Sequence, residues 1–266
     1  MAKSLISKLD IPLLRKKYKK GIPFNHVVID NFWNNKIVQK IEKEIKDFKF
    51  FETKDISIYD SPLEKKITCN HYDKFPKNTY NAFSYLNSQE FVDTVSKITG
   101  IKKIITDIGL HGGGLHIHPS GGKLNVHKDY SIHPKLGKER RLNLIIYMTK
   151  NWKKEWGGSL ELWSHDKKKN KPDKLVTKVS NKFNRAILFD TNQNSWHGLP
   201  NQIKLPHGVR RQSMAIYYLT EPRFKTDKRK RALFAPTKKQ EGDKKVLNLI
   251  KKRANLKTSL QSYRNK

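Results

Sequence analysis

A single cysteine, Cys69, stands among 266 residues, so no disulfide can form within the chain. Acidic residues are scarce. The chain has 24 Asp and Glu against 56 Lys and Arg, a formal net charge of +32 with a pI near 10.1. No apolar run approaches the ~18 residues of a membrane span. The opening stretch, MAKSLISKLDIPLLRKKYKK, lacks the apolar core of a secretory leader. These absences exclude a disulfide-stapled scaffold and a membrane helix, and they imply a soluble protein of the reducing cytoplasm. No internal repeat is present. Apolar residues make up only 36% of the chain, yet twelve Phe, ten Tyr and five Trp can fill a core, which argues against disorder. The length suits one well-buried domain with appendages.

A charge of this size has two readings. One is an anionic partner such as nucleic acid or a ribosomal surface. The other is a general lysine bias that decorates a solvated surface. From Glu221 to Lys266 there are sixteen Lys and Arg against four Asp and Glu, a net of +12, which leaves +20 over the first 220 residues. A dedicated nucleic-acid module would concentrate its charge further, and the spread favours the lysine bias.

The pattern along the chain has three parts. The first 22 residues read as a basic arm. From residue 23 to 220 a domain follows, opening on the alternating strand Pro23 to Asp30. Apolar Ile37, Val38, Ile41 and Ile45 predict a helix over 35–48. Residues 52–80 show no regular pattern. A second helix is predicted over 89–98, with Ser88 as N-cap and Gly100 just past its end.

After Gly100 short alternating runs appear, broken by Gly, Pro and Asn. They cover 104–110, 115–118, 123–129, 142–149, 159–163, 175–179, 185–190 and 211–219. Strands at this spacing predict an all-β sandwich or barrel rather than βαβ units. HDKKKNKPD, 165–173, reads as an exposed hairpin loop. Residues 221–266 read as a basic extension with one short amphipathic helix near 244–254.

The chemistry sits in His127-Lys128-Asp129 on a predicted strand. Alternation puts His127 and Asp129 on one face, together with Asn125. A second histidine, His197, follows the apolar run AILFD. Two imidazoles and one carboxylate can occupy one face of an octahedral iron(II), leaving positions for a bidentate co-substrate and dioxygen. Ten histidines make a chance His-x-Asp unremarkable, so the context decides. Arg210-Arg211-Gln212-Ser213 opens the last predicted strand. Arg211 and Ser213 share a face, and a guanidinium beside a hydroxyl suits a distal carboxylate. Arg210 then faces the surface. A competing metal set is His111, His116 and His118 in HGGGLHIH, as in cupin-like sites; the same histidines could instead line the pocket.

From Pro23 to Tyr218 the chain resembles the prolyl 4-hydroxylase-like branch of the 2-oxoglutarate/iron(II) dioxygenases. PFNHVVIDNFW is similar to that family's opening strand, and His118-Pro119-Ser120-Gly121 through His127-Lys128-Asp129 to its Tyr-x-x-Gly…His-x-Asp stretch. Arg140-Arg141-Leu142-Asn143 with Ile146-Tyr147-Met148-Thr149 resembles its Arg-x-x-Thr…Tyr-Leu-Asn strand. Trp156-Gly157-Gly158-Ser159-Leu160, Asn194 to Leu199, and Arg211-Gln212-Ser213 resemble its Gly-Gly-x-Leu, His-Gly-Val and Arg-x-Ser blocks. The chain departs from the pattern where His118 replaces the usual Tyr and Asn143 a frequent Thr. Arg211 stands where collagen-type enzymes use Lys, so prolyl specificity does not carry over.

The resemblance implies a mainly β fold with flanking helices, a distorted double-stranded β-helix or jelly roll. It implies iron(II) on His127, Asp129 and His197, and 2-oxoglutarate bound by Arg211 and Ser213, with Asn143 and Tyr147 beside it. Dioxygen is the third reactant and ascorbate a candidate reductant. The implied reaction hydroxylates a peptidyl residue, amino acid or sugar and releases succinate and carbon dioxide. No group beyond the metal ligands is singled out as catalytic. Two alternatives stand beside it, a nucleic-acid-binding protein on an inactive jelly roll and a cupin-like sugar isomerase or epimerase. No candidate site residue lies beyond Ser213, so residues 221–266 are expected to be dispensable for metal and co-substrate binding.

Overall fold

Helical spacing dominates the chain up to residue 99, and period-2 alternation dominates from 114 to 220. The computed structural model describes residues 5–49 and 56–259. In order the elements are α1 (Ile11–Lys20), β1 (His26–Ile29), α2 (Asn35–Asp47), β2 (Ile56–Asp60) and β3 (Glu64–Cys69). Then come α3 (Lys77–Leu86), α4 (Gln89–Thr99), β4 (Ile105–Thr106), β5 (Gly114–His118), β6 (Lys123–Lys128) and β7 (Glu139–Tyr147). The chain continues through β8 (Leu160–Asp166), β9 (Lys171–Val179), β10 (Ala186–Asp190), β11 (Trp196–Leu199) and β12 (Arg211–Thr220). It closes with β13 (Leu233–Phe234), α5 (Lys244–Ala254) and α6 (Leu256–Ser259).

The two helices predicted from spacing are present. The Asn34 side chain caps α2 by accepting from Lys36 N, and Val38, Ile41 and Ile45 form its buried stripe. Ser88 caps α4, which stops at left-handed Gly100, φ 78°. The expected N-terminal arm is corrected. Asp10 caps α1, whose Leu14 and Tyr18 are buried in the core, and the Tyr18 hydroxyl donates to Asp190. Two apolar anchors four residues apart hold this helix, although five of its ten residues are Lys or Arg and leave too few apolar positions to read as periodic. 

The expected irregular stretch is corrected too. Its residues 52–55 lie outside the described residues, but 56–69 form the β2–β3 hairpin and 77–86 form α3. On β3, Ile67 and Cys69 join the core, while Glu64 is a buried carboxylate. Charge at buried positions hides the alternation. The strand expected at 104–110 shrinks to β4, because Asp107 turns the chain by accepting from His111 N. The hairpin loop narrows to 167–170 as β8 and β9 extend toward it.

All strand pairs described are antiparallel, in the order β1-β10-β7-β12-β5-β3-β6-β11-β8-β9, with β2, β4 and β13 attached to β3, β12 and β6. This is the nearly closed sheet of a double-stranded β-helix. One face of β7, β12, β10 and β5 packs on the helices through Leu142, Leu144, Ile146, Met214, Ile216, Tyr218, Leu188, Leu115 and Ile117. The alternate residues point into the roll, where Tyr147, Ile187 and Phe189 meet Phe24, Leu160, Leu162, Val179 and Leu199. Every residue of β12 is buried because both of its faces are covered. No helix among the described residues is long and apolar enough to cross a membrane.

The segment after Thr220 does not lie apart from the roll. β13 joins β6, pairing Phe234 with His127 and Leu233 with Lys128, and Phe234, Val246 and Leu63 form a small core of their own. The separate basic extension is therefore corrected in its packing: Leu233, Phe234, Ala235 and Val246 pack against the sheet, while Phe224 and Leu256 stay exposed.

The Gly-rich run before β5 has a steric cause. Gly114 sits at φ 91°, and a Cβ there would lie 2.1 Å from the Cys69 carbonyl oxygen. Gly137 has φ 67° with nothing within 4 Å. Gly114→Ala is expected to cost about 3 kcal/mol or more through clash plus left-handed strain, and Gly137→Ala only about 1 kcal/mol. Urea unfolding of both variants checks the contrast, and equal costs would contradict it.

Candidate metal centre

β6 and β11 pair with His127 directly opposite His197. The register then shifts, because His127 to Leu124 spans three residues while the facing His197 to Leu199 spans two. This is a β-bulge on the strand that carries the His-x-Asp motif, a feature that re-aims side chains. It also corrects the placing of Asn125. Its amide donates to the Ala235 carbonyl and to Gln240 Oε1, and only its backbone carbonyl serves the site. Asp129 lies one residue past the end of β6.

The three groups converge. One donor atom from each of His127, Asp129 and His197 lies within 4.8 Å of the others. His127 Nε2 is 3.7 Å from Asp129 Oδ1, and His197 Nε2 is 3.6 Å from Asp129 Oδ2. Each imidazole faces a backbone carbonyl at Nδ1, Asn125 O at 3.0 Å and Ser195 O at 2.9 Å. A carbonyl can only accept, so Nδ1 carries the proton and Nε2 presents a lone pair. Asp129 Oδ2 is buried with no hydrogen-bond partner. Two free imidazole lone pairs and an orphaned carboxylate oxygen are a donor set that fits iron(II).

The electrostatics favour the ligand protonation states. Burial, and then the His127 ring, push His197 down to about 4, so it is neutral at pH 7. Burial pushes the Asp129 carboxyl up, but the His127 and His197 imidazoles and the Arg140 guanidinium outweigh it and hold the group well below the usual carboxylate range. Tyr217 donates its hydroxyl to Asp129 Oδ1 at 3.2 Å. Arg140 Nη1 is 3.8 Å from the same oxygen, and its guanidinium lies between the Tyr130 and Tyr217 rings at 3.5 and 3.3 Å. None of Arg140, Tyr130 or Tyr217 stood out in the sequence as a neighbour of the site. The pairing of β12 with β7 creates that neighbourhood.

The strand register arranges the four candidate co-substrate residues. Near the triad, Phe189, Asn143 and Tyr217 sit side by side on β10, β7 and β12. Next along the strands come Ile187, Ile145 and Ala215. Furthest away, Tyr147 faces Ser213, Ser213 faces His116, and Arg211 faces His118. Asn143 and Tyr147 are thus about 13 Å apart along β7, at opposite ends of one row, with an apolar middle. Arg211 is buried, with its Nε donating to Gly158 O at 3.1 Å and its guanidinium 5.0 Å from the Tyr147 ring centroid. The Asn143 Oδ1, Tyr147 hydroxyl, His116 Nε2 and both His118 nitrogens are buried without partners. A buried cation among unpaired polar atoms fits a bound dicarboxylate. Arg210 is exposed, as expected of its opposite face.

Among the described residues, the only cluster of metal-ligating groups is His127, Asp129 and His197. His116 and His118 face the pocket instead, and His111 packs beside Tyr130 and His133. The cupin-like set does not assemble.

Fold and site together are similar to those of 2-oxoglutarate- and iron(II)-dependent dioxygenases. Residues 113–219, β5 to β12, match the family model of the 2OG-Fe(II) oxygenase superfamily, and the chain carries a domain of that superfamily. The fold is similar to that of solved prolyl hydroxylases. A prolyl hydroxylase from Trichoplax adhaerens, solved with a hypoxia inducible factor oxygen degradation domain peptide fragment, superposes with a TM-score of 0.53 at 16% identity. That match covers 79% of this chain and 90% of the other. A Pseudomonas putida prolyl-4-hydroxylase gives 0.53 at 12% identity over 79% and 100%. The alpha ketoglutarate dependent carbocyclase SnoK of nogalamycin biosynthesis gives 0.51 at 11% identity over 86% and 88%. No curated protein matches the chain.

Burial holds several histidines neutral. His111 is pushed down to about 4, His116 to about 3, His118 well below its usual range, and His197 to about 4. An unfolded histidine titrates near 6.5, so the unfolded chain binds more protons between about 6.5 and 4. The stability these groups contribute is present above about 6.5 and is lost as the pH falls through that window. The metal-free protein is expected to lose on the order of 1 kcal/mol per histidine between pH 7 and 5.5. Urea unfolding at the two pH values measures this, and a flat profile would show that these rings are solvated.

Proposed function

We propose that the protein is a hydroxylase in which His127, Asp129 and His197 hold iron(II) and Arg211 and Ser213 hold the distal carboxylate of 2-oxoglutarate. The observation that carries this reading is the pair of lone-pair-bearing Nε2 atoms converging on an orphaned Asp129 oxygen. Bound iron and 2-oxoglutarate supply the oxidising chemistry, with succinate and carbon dioxide as by-products.

The chain's own residues bind, orient and exclude water. Backbone carbonyls fix the tautomer of both rings. Tyr217 and Arg140 orient the Asp129 carboxylate, and a carboxylate in this place favours hydroxylation over halogenation. Arg211 and the row of Tyr147 and Ser213 set the far end of the co-substrate. Phe189 stands edge-on to His197 at 4.9 Å and keeps water off that ring. The prime substrate belongs to the class of peptidyl residues, amino acids or sugars. Prolyl specificity is not part of the proposal, since Arg211 replaces the Lys of collagen-type enzymes. A net charge of +32 supports an additional anionic partner, nucleic acid or a ribosomal surface.

The central test is anaerobic mixing of the protein with iron(II) and 2-oxoglutarate. A weak visible charge-transfer band is expected, and His127→Ala, Asp129→Ala and His197→Ala should each abolish it. Undiminished iron binding in all three variants would overturn the assignment. A succinate-release screen against amino-acid, peptide, sugar and nucleic-acid pools then identifies the substrate class.

Arg211→Ala should weaken 2-oxoglutarate binding by about 2–4 kcal/mol, the loss of a charge-assisted bidentate pair. Arg210→Ala should leave it nearly unchanged. Titration calorimetry separates the two, and a larger effect from Arg210 would contradict the inward placing of Arg211.

A further inference from the structure

The strand that carries His127 is flanked on both sides, and one flank comes from the C-terminal segment. On one side β11 pairs His197 with His127. On the other, β3 reaches only Lys123 and Leu124. The rest of that edge is covered by β13, which pairs Leu233 and Phe234 with Lys128 and His127, and Ala235 N donates to Val126 O at 2.8 Å. Without β13 the bulged end of β6 would present unpaired backbone groups beside the candidate ligands.

Side chains reinforce this flank. The Phe234 ring lies on the His127 imidazole, with centroids 5.1 Å apart and planes inclined by 21°, and the His197 ring is 4.5 Å away. His127 is therefore held between two rings. Arg229 donates to the carbonyl oxygens of Asp129 at 2.6 Å and Arg231 at 2.8 Å, and to Ser131 Oγ at 3.3 Å. This clamp fixes the backbone at the carboxylate residue. Further along, buried Arg253 of α5 pairs with buried Glu64 of β3, and its guanidinium sits 4.7 Å from the Phe234 ring centroid. Lys66 Nζ is the second partner of Glu64, at 3.0 Å. Gln240 ties Asn125 to the Pro62 carbonyl.

We propose that Phe234 is a positioning residue of the metal centre: it fixes the plane of the His127 ring, and the Arg253–Glu64 pair latches it there. The carbonyl at Nδ1 sets the tautomer of His127 but restrains its ring at one point only. A flat aromatic face against the imidazole restricts rotation about the Cβ–Cγ bond and keeps water from that side. Residues around a metal's direct ligands commonly change metal affinity 10–100-fold when removed. This inference rests on His127 being a metal ligand. It replaces the expectation that everything after Thr220 is dispensable for the site.

The test uses the full chain and cobalt(II) alone, titrated anaerobically without 2-oxoglutarate and followed by its visible d–d absorption. Phe234→Ala is expected to weaken cobalt binding roughly 10-fold or more and to change the shape of the d–d band. Phe234→Tyr, which keeps the flat face, should restore both to near the wild-type values. Phe234→Leu keeps most of the volume without the face and should remain impaired; it also decides the matter if the Ala variant does not fold. Arg253→Met should shift the band in the same direction as Phe234→Ala. Circular dichroism of the metal-free variants separates a moved ligand from lost structure. Wild-type affinity and band shape in a folded Phe234→Ala protein would overturn the proposal. So would full rescue by Leu, which would make Phe234 a filler rather than a ring-positioning group. A wild-type protein that binds no cobalt, or a His127→Ala variant that binds it as well as wild type, would sink the ligand assignment itself.

Discussion

The antiparallel pairing of β6 with β11 places His127 opposite His197, and the local chemistry follows from that contact. Two imidazoles with ring centroids 4.5 Å apart would repel one another if both were protonated. Burial and mutual repulsion together keep His197 neutral. The Nδ1 contacts to Asn125 and Ser195 turn both free lone pairs the same way. In water these rings would be solvated and free to rotate. In the roll they form a rigid donor set.

The rest of the roll grades from that contact to Arg211. Near the triad the interior holds Asn143, Tyr217 and the Arg140 guanidinium. The middle is apolar, and the far end is cationic, with Arg211 beside Tyr147, Ser213 and the two histidines of β5. Most buried polar groups in folded proteins are paired, so several orphans in one row mark a place where a polar ligand belongs. Arg211 is a cation buried against a tyrosine face and a single backbone carbonyl. That environment favours an incoming carboxylate, since burial makes an uncompensated charge costly.

The large positive charge divides into working and solvated parts. Arg229 clamps the backbone at Asp129, Arg253 neutralises Glu64, and Arg140 backs the Asp129 carboxylate. Some of the +12 after Thr220 is therefore consumed inside the protein. Other cations, such as Lys171 and Lys174 on the outer strand β9, are exposed. On a strand at one end of the sheet order they also discourage pairing with other chains.

The sequence by itself determined the class of fold, the helices α2 and α4, the inward face of β12 and the three converging groups. Each of these is a local pattern: alternation, helical spacing, caps, or a short motif whose residue types are themselves the chemistry. Local pattern was silent where burial overrides it. α1 hides among cations, held by Leu14 and Tyr18. β3 carries buried Glu64 and half-buried Lys66, so its alternation does not look apolar. The bulge that turns Asn125 away exists only because β11 sets the register of β6. Phe234 and Arg253 lie far in sequence from the residues they touch, and nothing in their own neighbourhoods marks them. Tertiary structure alone decided their places, because strand pairing across the roll brings distant segments edge to edge, and the energy of a buried ring or ion pair depends on both partners at once.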